Sequence, residues 1–266
     1  MKKISIFAVA LAAMTFAACG GNKSANTEEQ APEKSFEQEQ VEAKIKLELD
    51  SLSAELGRLD KVPFLQEGEN GLQLTEEEKQ VKPDYLLSPS VAENATTLAE
   101  KYRALAALCV DKQIASMYDM PTDEYEAAIS KLAADIDDPS FKEIDNVANI
   151  HETSQKLYDA MNANGRINYF WQMVAGSLIE EFYVASQNSD KFVTVFDDES
   201  AAAITFRIVL LNEATTRLAS YDPEFETVAK VAEALEPLDA ITVDQLKAQL
   251  EETKEKVAET RNELIK

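Results

Sequence analysis

The chain contains one histidine, His151, in the stretch NIHETSQ. Histidine is the side chain most often used for general acid–base work, and a Ser-His-Asp triad would need this one as its base. No Gly-x-Ser-x-Gly elbow accompanies it. A lone histidine also cannot build the Glu-x-x-His pairs of a di-iron bundle or an HExxH zinc site. His151 is therefore read as a surface or packing residue. Cys109 lies in LAALCV, in helical register with Val91, Leu98, Tyr102 and Leu105. No cation stands within two residues to lower its pKa, and no metal-ligand partner follows at useful spacing, so it reads as core. The acids Asp135, Asp137, Asp138, Glu143 and Asp145 invite a cation, but the EF-hand template fails: Pro139 takes the fifth position, Ser140 replaces the turn glycine and Asn146 the final glutamate. Asp138 as a helix cap accounts for the cluster, and Asp197-Asp198-Glu199 suits a helix N-terminus. There is no glycine-rich phosphate loop. No catalytic residue, metal ligand or cofactor is expected, and the chain does not read as an enzyme.

Two sets of residues remain that suit binding rather than catalysis. Tyr169 and Trp171, with Phe170 between them, lie in a strongly apolar helix and are candidates to line an interhelical ligand pocket. Arg207, flanked by Phe206 and Ile208, sits on another apolar helix and needs a partner, for which Glu180 or Glu181 is available.

The elements that must position these residues all read as helices. Ile45, Leu49, Leu52, Leu56 and Leu59 are spaced by 4 and 3, a heptad seam in a helix over 35–60. Thr242-x-x-Gln245 opens a second such helix over 242–265, with Val243, Leu246, Leu250, Thr253, Val257, Thr260 and Leu264 as its seam. Two seams at opposite ends of one chain predict antiparallel pairing within a monomer; dimerisation is the competing reading. Residues 61–89, with Pro63, Gly68, Gly71, Pro83 and Pro89, read as a long structured loop, because Phe64, Leu65, Leu72, Leu74, Tyr85, Leu86 and Leu87 ask for burial. Such loops are often functional. Thr75-x-x-Glu78 is a capping-box signature inside it. A helical bundle is expected over 90–241. Ser90-x-x-Glu93 is expected to cap its first helix, Thr122 to Ile136 forms the next, and Asp138-Pro139 opens one that ends near Asn164-Gly165. Residues 166–186 are apolar on nearly every side, as in a central bundle helix, and Gly176 predicts close approach of a neighbour. Helices follow at Ala201–Ser220 and after Asp222-Pro223. Only KFVTVF at 191–196 is ambiguous with a strand. ASMYDMP at 115–121 and ASYDP at 219–223 each precede an Ala-rich amphipathic helix, a weak internal duplication of helical hairpins. The fold class is all-α, a multi-helix bundle.

The start of the chain has a different character. Lys2 and Lys3 precede an apolar run over 4–16, then Ala17, Ala18 and Cys19. Basic start, short apolar core and small-residue end are the layout of a secretory signal over 1–18, and the run is too short to span a membrane. Phe16-Ala17-Ala18-Cys19 resembles the lipobox of bacterial lipoproteins. The resemblance covers these first 19 residues. It implies that Cys19 becomes the first mature residue and the lipidation site, with a thioether-linked diacylglycerol and an acylated amino group, chains of the palmitate type. Several such chains anchor a protein stably. The implied location is the bacterial cell envelope, facing periplasm or exterior. Residues 19–34, rich in Gly, Ser, Asn, Pro and charge, read as a flexible tether, and 35–266 as a single helical domain.

Removing residues 1–18, which hold two lysines and no acid, takes the net charge from −23 to −25. Nucleic-acid binding depends on Lys and Arg neutralising phosphates, so this composition excludes it. It also disfavours anionic headgroups, leaving the acyl chains to hold the membrane. With Cys19 acylated, Cys109 has no disulfide partner in the chain. Two functions fit: a non-catalytic scaffold for a protein partner, or a small-molecule or cation binder using a pocket near Trp171.

Overall fold

The computed structural model describes Ala43 and residues 62–66, 71–144, 146–149, 153–219 and 225–265. Among the described residues the fold is all-α, with ten helices and no strand. In chain order these are α1 (Glu76–Gln80), α2 (Val91–Asn94), α3 (Leu98–Met117), α4 (Asp123–Ile136), α5 (Ser154–Ala163), α6 (Ile167–Gln187), α7 (Ser189–Phe192), α8 (Asp198–Leu218), α9 (Phe225–Leu235) and α10 (Val243–Leu264). Short 3-10 turns occur at Pro63–Leu65, Pro139–Glu143, Val147–Asn149 and Val193–Val195.

The apolar helix α6 takes the central place its composition demands. It packs against α3 most extensively, and against α5, α8, α9 and α10. Trp171, Ala175, Leu178, Ile179 and Val184 are fully buried on it. Its crossing with α3 depends on Gly176, where an added Cβ would come within 2.5 Å of the Arg103 carbonyl and 2.8 Å of its Cα. Only a residue without a side chain fits there. α10 buries Leu246, Leu250, Thr253, Val257, Thr260 and Leu264, the seam read from its spacing, and packs mainly on α6 and α9. Its expected partner, the helix over 35–60, lies outside the described residues apart from Ala43, as do Cys19, the segment 1–34 and His151. The hairpins α3–α4 and α8–α9 both pack as pairs; the turn at 220–224 lies outside the described residues.

Local chemistry shifted several boundaries. Ser90 makes no side-chain cap, and α2 stops after one turn. The long helix begins anew at Thr97, whose hydroxyl accepts from Glu100 N while Glu100 Oε2 accepts from the backbone of Thr96 and Thr97 and from the Thr96 hydroxyl. Hydrogen bonds from the Thr97 backbone first, against some burial, hold the Glu100 carboxyl down at about 2. Asp138 does cap, its carboxylate accepting from Ser140 N at 2.8 Å. The element it opens is a 3-10 turn ending at Glu143, and the α-helix ending at Asn164-Gly165 starts only at Ser154. The segment 191–196 closes α7 and forms a 3-10 turn. Asp197 and Ser200 form a capping box at the start of α8.

Candidate binding cleft

Three parts of the chain end around one surface cleft of about 360 Å³. They are α1 with the irregular strap that follows it, the C-terminal end of α3 at Tyr118, and the α6–α7 junction. Pockets that hold small molecules start near this size. α1 forms because Thr75 and Glu78 make the capping box their spacing predicts: the Thr75 hydroxyl accepts from Glu78 N at 3.2 Å and Glu78 Oε2 accepts from Thr75 N at 2.7 Å. The same Glu78 carboxylate receives Lys191 Nζ of α7 at 2.8 Å, and that bond lowers its pKa. α1 is also tied to the end of α3, where Lys79 pairs with Asp119 at 3.0 Å. Asp119 sits in the left-handed region, φ 50°, turning the chain out of α3. Lys82 Nζ donates to the Tyr118 carbonyl, closing the cleft edge.

The strap is fixed from beneath by a buried charged group. Leu87 N donates to Asp111 Oδ2 at 2.7 Å, and the Leu87 carbonyl accepts from the Tyr125 hydroxyl at 2.9 Å. Arg261 of α10 forms a two-pronged ion pair with Glu180 of α6, both contacts 2.7 Å. Its Nη2 also donates to the Tyr85 carbonyl at 3.2 Å, and its guanidinium lies 3.9 Å from the centre of the Tyr183 ring. The Tyr85 ring meets Tyr183 edge-on at 6.5 Å. Arg261 and Glu180 cancel each other's charge, which makes the pair tolerable in a core. Asp111 lies against Glu180, and burial first, then that carboxylate, raise its pKa well above the ordinary value. Its protonated form is thereby favoured. Its Oδ1 has no hydrogen-bond partner.

Tyr85 and Tyr118 are the aromatic members of the cleft lining; Leu74, Val81 and Pro83 are its apolar members. The Tyr85 hydroxyl is buried without a hydrogen bond of normal geometry. Burial first, then the neighbouring Tyr118, push its pKa up, so it stands as a neutral donor.

The residues singled out from sequence lie elsewhere, and the fold does not bring all of them together. Trp171 is fully buried, edge-on to Phe170 at 5.7 Å. Tyr169 stacks on Tyr102 at 4.8 Å, with Arg166 5.6 Å from its ring centre. Arg207 pairs with Glu181 Oε2 at 2.8 Å, and Ser177 donates to the other oxygen of that carboxylate. Ten residues separate Trp171 from Glu181, about 15 Å along α6. None of the three lines the cleft. A second gap, bordered by Phe64, Phe182, Ile204 and Leu250, measures about 10 Å³, room for at most one water. Cys109 is fully buried, and that burial pushes its thiol up to about 12. Among the described residues no three His, Cys, Asp or Glu side chains are grouped to hold a metal ion.

Residues 61–89 are legible in the sequence as a candidate binding element, but Tyr118 and Lys191, which reach the cleft from distant parts of the chain, are not, and neither is Arg261 as the partner of Glu180. No local pattern encodes those meetings. No protein-family model matches the chain, and neither a curated protein nor a solved structure matches it.

Proposed function

We propose that this chain is a lipid-anchored, non-catalytic binding protein of the bacterial cell envelope, held by acyl chains on Cys19 and taking a small polar ligand in the Tyr85 cleft. The observation that carries the reading is the cleft itself: a concave site of about 360 Å³ with polar groups from three elements converging beside two tyrosines. The lone His151 and the core position of Cys109 support a binding role over catalysis. No helix among the described residues is long and apolar enough to cross a membrane, which is compatible with anchoring by lipid. The ligand pocket is assigned to Tyr85 rather than to the packed surroundings of Trp171. The scaffold reading draws instead on Phe206 and Val209, 40% and 47% exposed on α8. It is separable, because substitutions there leave the cleft intact.

Two experiments test the proposal. Labelling cells with a fatty-acid analogue should mark the protein, and Cys19→Ser should abolish the label and release the chain from membranes; a retained label contradicts the anchor. The mature protein, purified from membranes in detergent, should be screened by thermal unfolding against amino acids, sugars, nucleosides and dicarboxylates. A ligand at a hundred times its Kd adds about 2.7 kcal/mol, or about 5–10 °C for a chain of this size. Val81→Trp, which fills the cleft mouth, should abolish that shift. A panel that produces no shift contradicts the cleft reading.

A further inference from the structure

Among the described residues, two charges in the cleft lining lack an oppositely charged partner, and they have opposite signs. The ammonium of Lys82 donates to a neutral acceptor, the Tyr118 carbonyl, and has no carboxylate partner among the described residues. Asp84, an exposed residue of the same lining, has neither hydrogen bond nor ion pair there. The remaining charged pair of the lining, Glu78 and Lys191, neutralises itself. Lys82 and Asp84 flank Pro83, whose fixed φ and extended-favouring effect on its predecessor set the backbone between them. Lys82 reaches across to a residue 36 positions away rather than to Asp84.

We propose that the cleft binds a small zwitterion, a free amino acid or short peptide, with its carboxylate on Lys82 and its ammonium on Asp84. The proposal rests on the reading of the cleft as a ligand site. A simple anion would satisfy Lys82 but face Asp84 in a chain of net charge −23. A simple cation would satisfy Asp84 and face Lys82. A neutral ligand would desolvate both charges and pair neither, which is costly. A zwitterion meets both at once and brings no net charge. Leu74 and Val81 then receive its apolar side chain; Val81 is 75% exposed, the most exposed of the large apolar side chains among the described residues.

Calorimetric titration of the mature, detergent-purified protein tests this with L-leucine and L-alanyl-L-leucine, against N-acetyl-leucine, which lacks the cation, and leucine amide, which lacks the anion. The zwitterions should bind, and each cap should weaken binding about tenfold or more, the worth of one charge-assisted hydrogen bond. Lys82→Met should erase the preference for leucine over leucine amide, and Asp84→Asn the preference over N-acetyl-leucine. Both residues are exposed, so the variants should fold, and their far-ultraviolet circular dichroism checks that they do. If capped compounds bind as well as leucine, or only a singly charged compound binds, the zwitterion assignment is overturned while the cleft remains a ligand site. If no compound of this set or of the wider panel binds, both assignments fall.

Discussion

Asp111 is the residue whose titration the fold feels most directly. Folding favours its protonated form, by burial and by the neighbouring Glu180; unfolded, it ionises around the ordinary value of 3.8. The folded state then binds the extra proton, so stability falls as pH rises from about 4 towards the raised native value, by at most about 1.4 kcal/mol per pH unit. Asp111→Asn keeps the shape and an acceptor for Leu87 N, offers Glu180 a donor, and does not titrate. Its stability relative to the wild type should therefore improve as pH rises above about 4 in urea unfolding; parallel pH profiles would show that folding does not raise the Asp111 pKa. Glu180→Ala is expected to do the opposite. It strands Arg261, 6% exposed, without its carboxylate, and should cost about 3–5 kcal/mol. Neither residue was singled out for this role from sequence. Arg261 sits among the charges of KVAETRNELIK, where an arginine reads as an ordinary surface residue, and only the approach of α10 to α6 gives it Glu180. Arg207 was legible by contrast, because Phe206 and Ile208 beside it announced an apolar helix, and Glu181 lay in the next apolar helix upstream.

Secondary structure was most legible where it depends on side chains three or four residues apart. The Thr75–Glu78 box, the Asp138 cap, the α10 seam and the apolar girth of α6 all follow from local chemistry. The boundary at Ser90 failed: Ser90-x-x-Glu93 was expected to cap, but the long helix starts instead at Thr97, where Glu100 gathers donors from Thr96 as well as Thr97. Asp138-Pro139 set a start correctly but not the type of helix, since the chain must turn again before Ser154. Gly176 was legible as a contact point, though its partner was not. Gly176→Ala should force Arg103 and the α3–α6 crossing apart and cost about 1–3 kcal/mol, read as a lowered urea midpoint with unchanged slope. A variant as stable as the wild type would mean that the two helices do not cross as closely as the Gly176–Arg103 geometry requires.

At the scale of the whole molecule, the 3–4 spacing of apolar residues already pointed to a helical bundle, because that pattern acts without needing contacts. The cleft was legible only as a loop that wanted burial, since its lining comes from positions 74 to 191 and exists only once α1, α3 and α6 have met. The proposed function requires that this meeting makes a ligand site. Hydrogen–deuterium exchange on the mature protein, with and without saturating L-alanyl-L-leucine, tests it most directly. Slower exchange is expected, confined to residues 74–85, the end of α3 around Tyr118, and 187–191. Protection centred on Trp171 and Arg207, or no change anywhere in the chain, would contradict it.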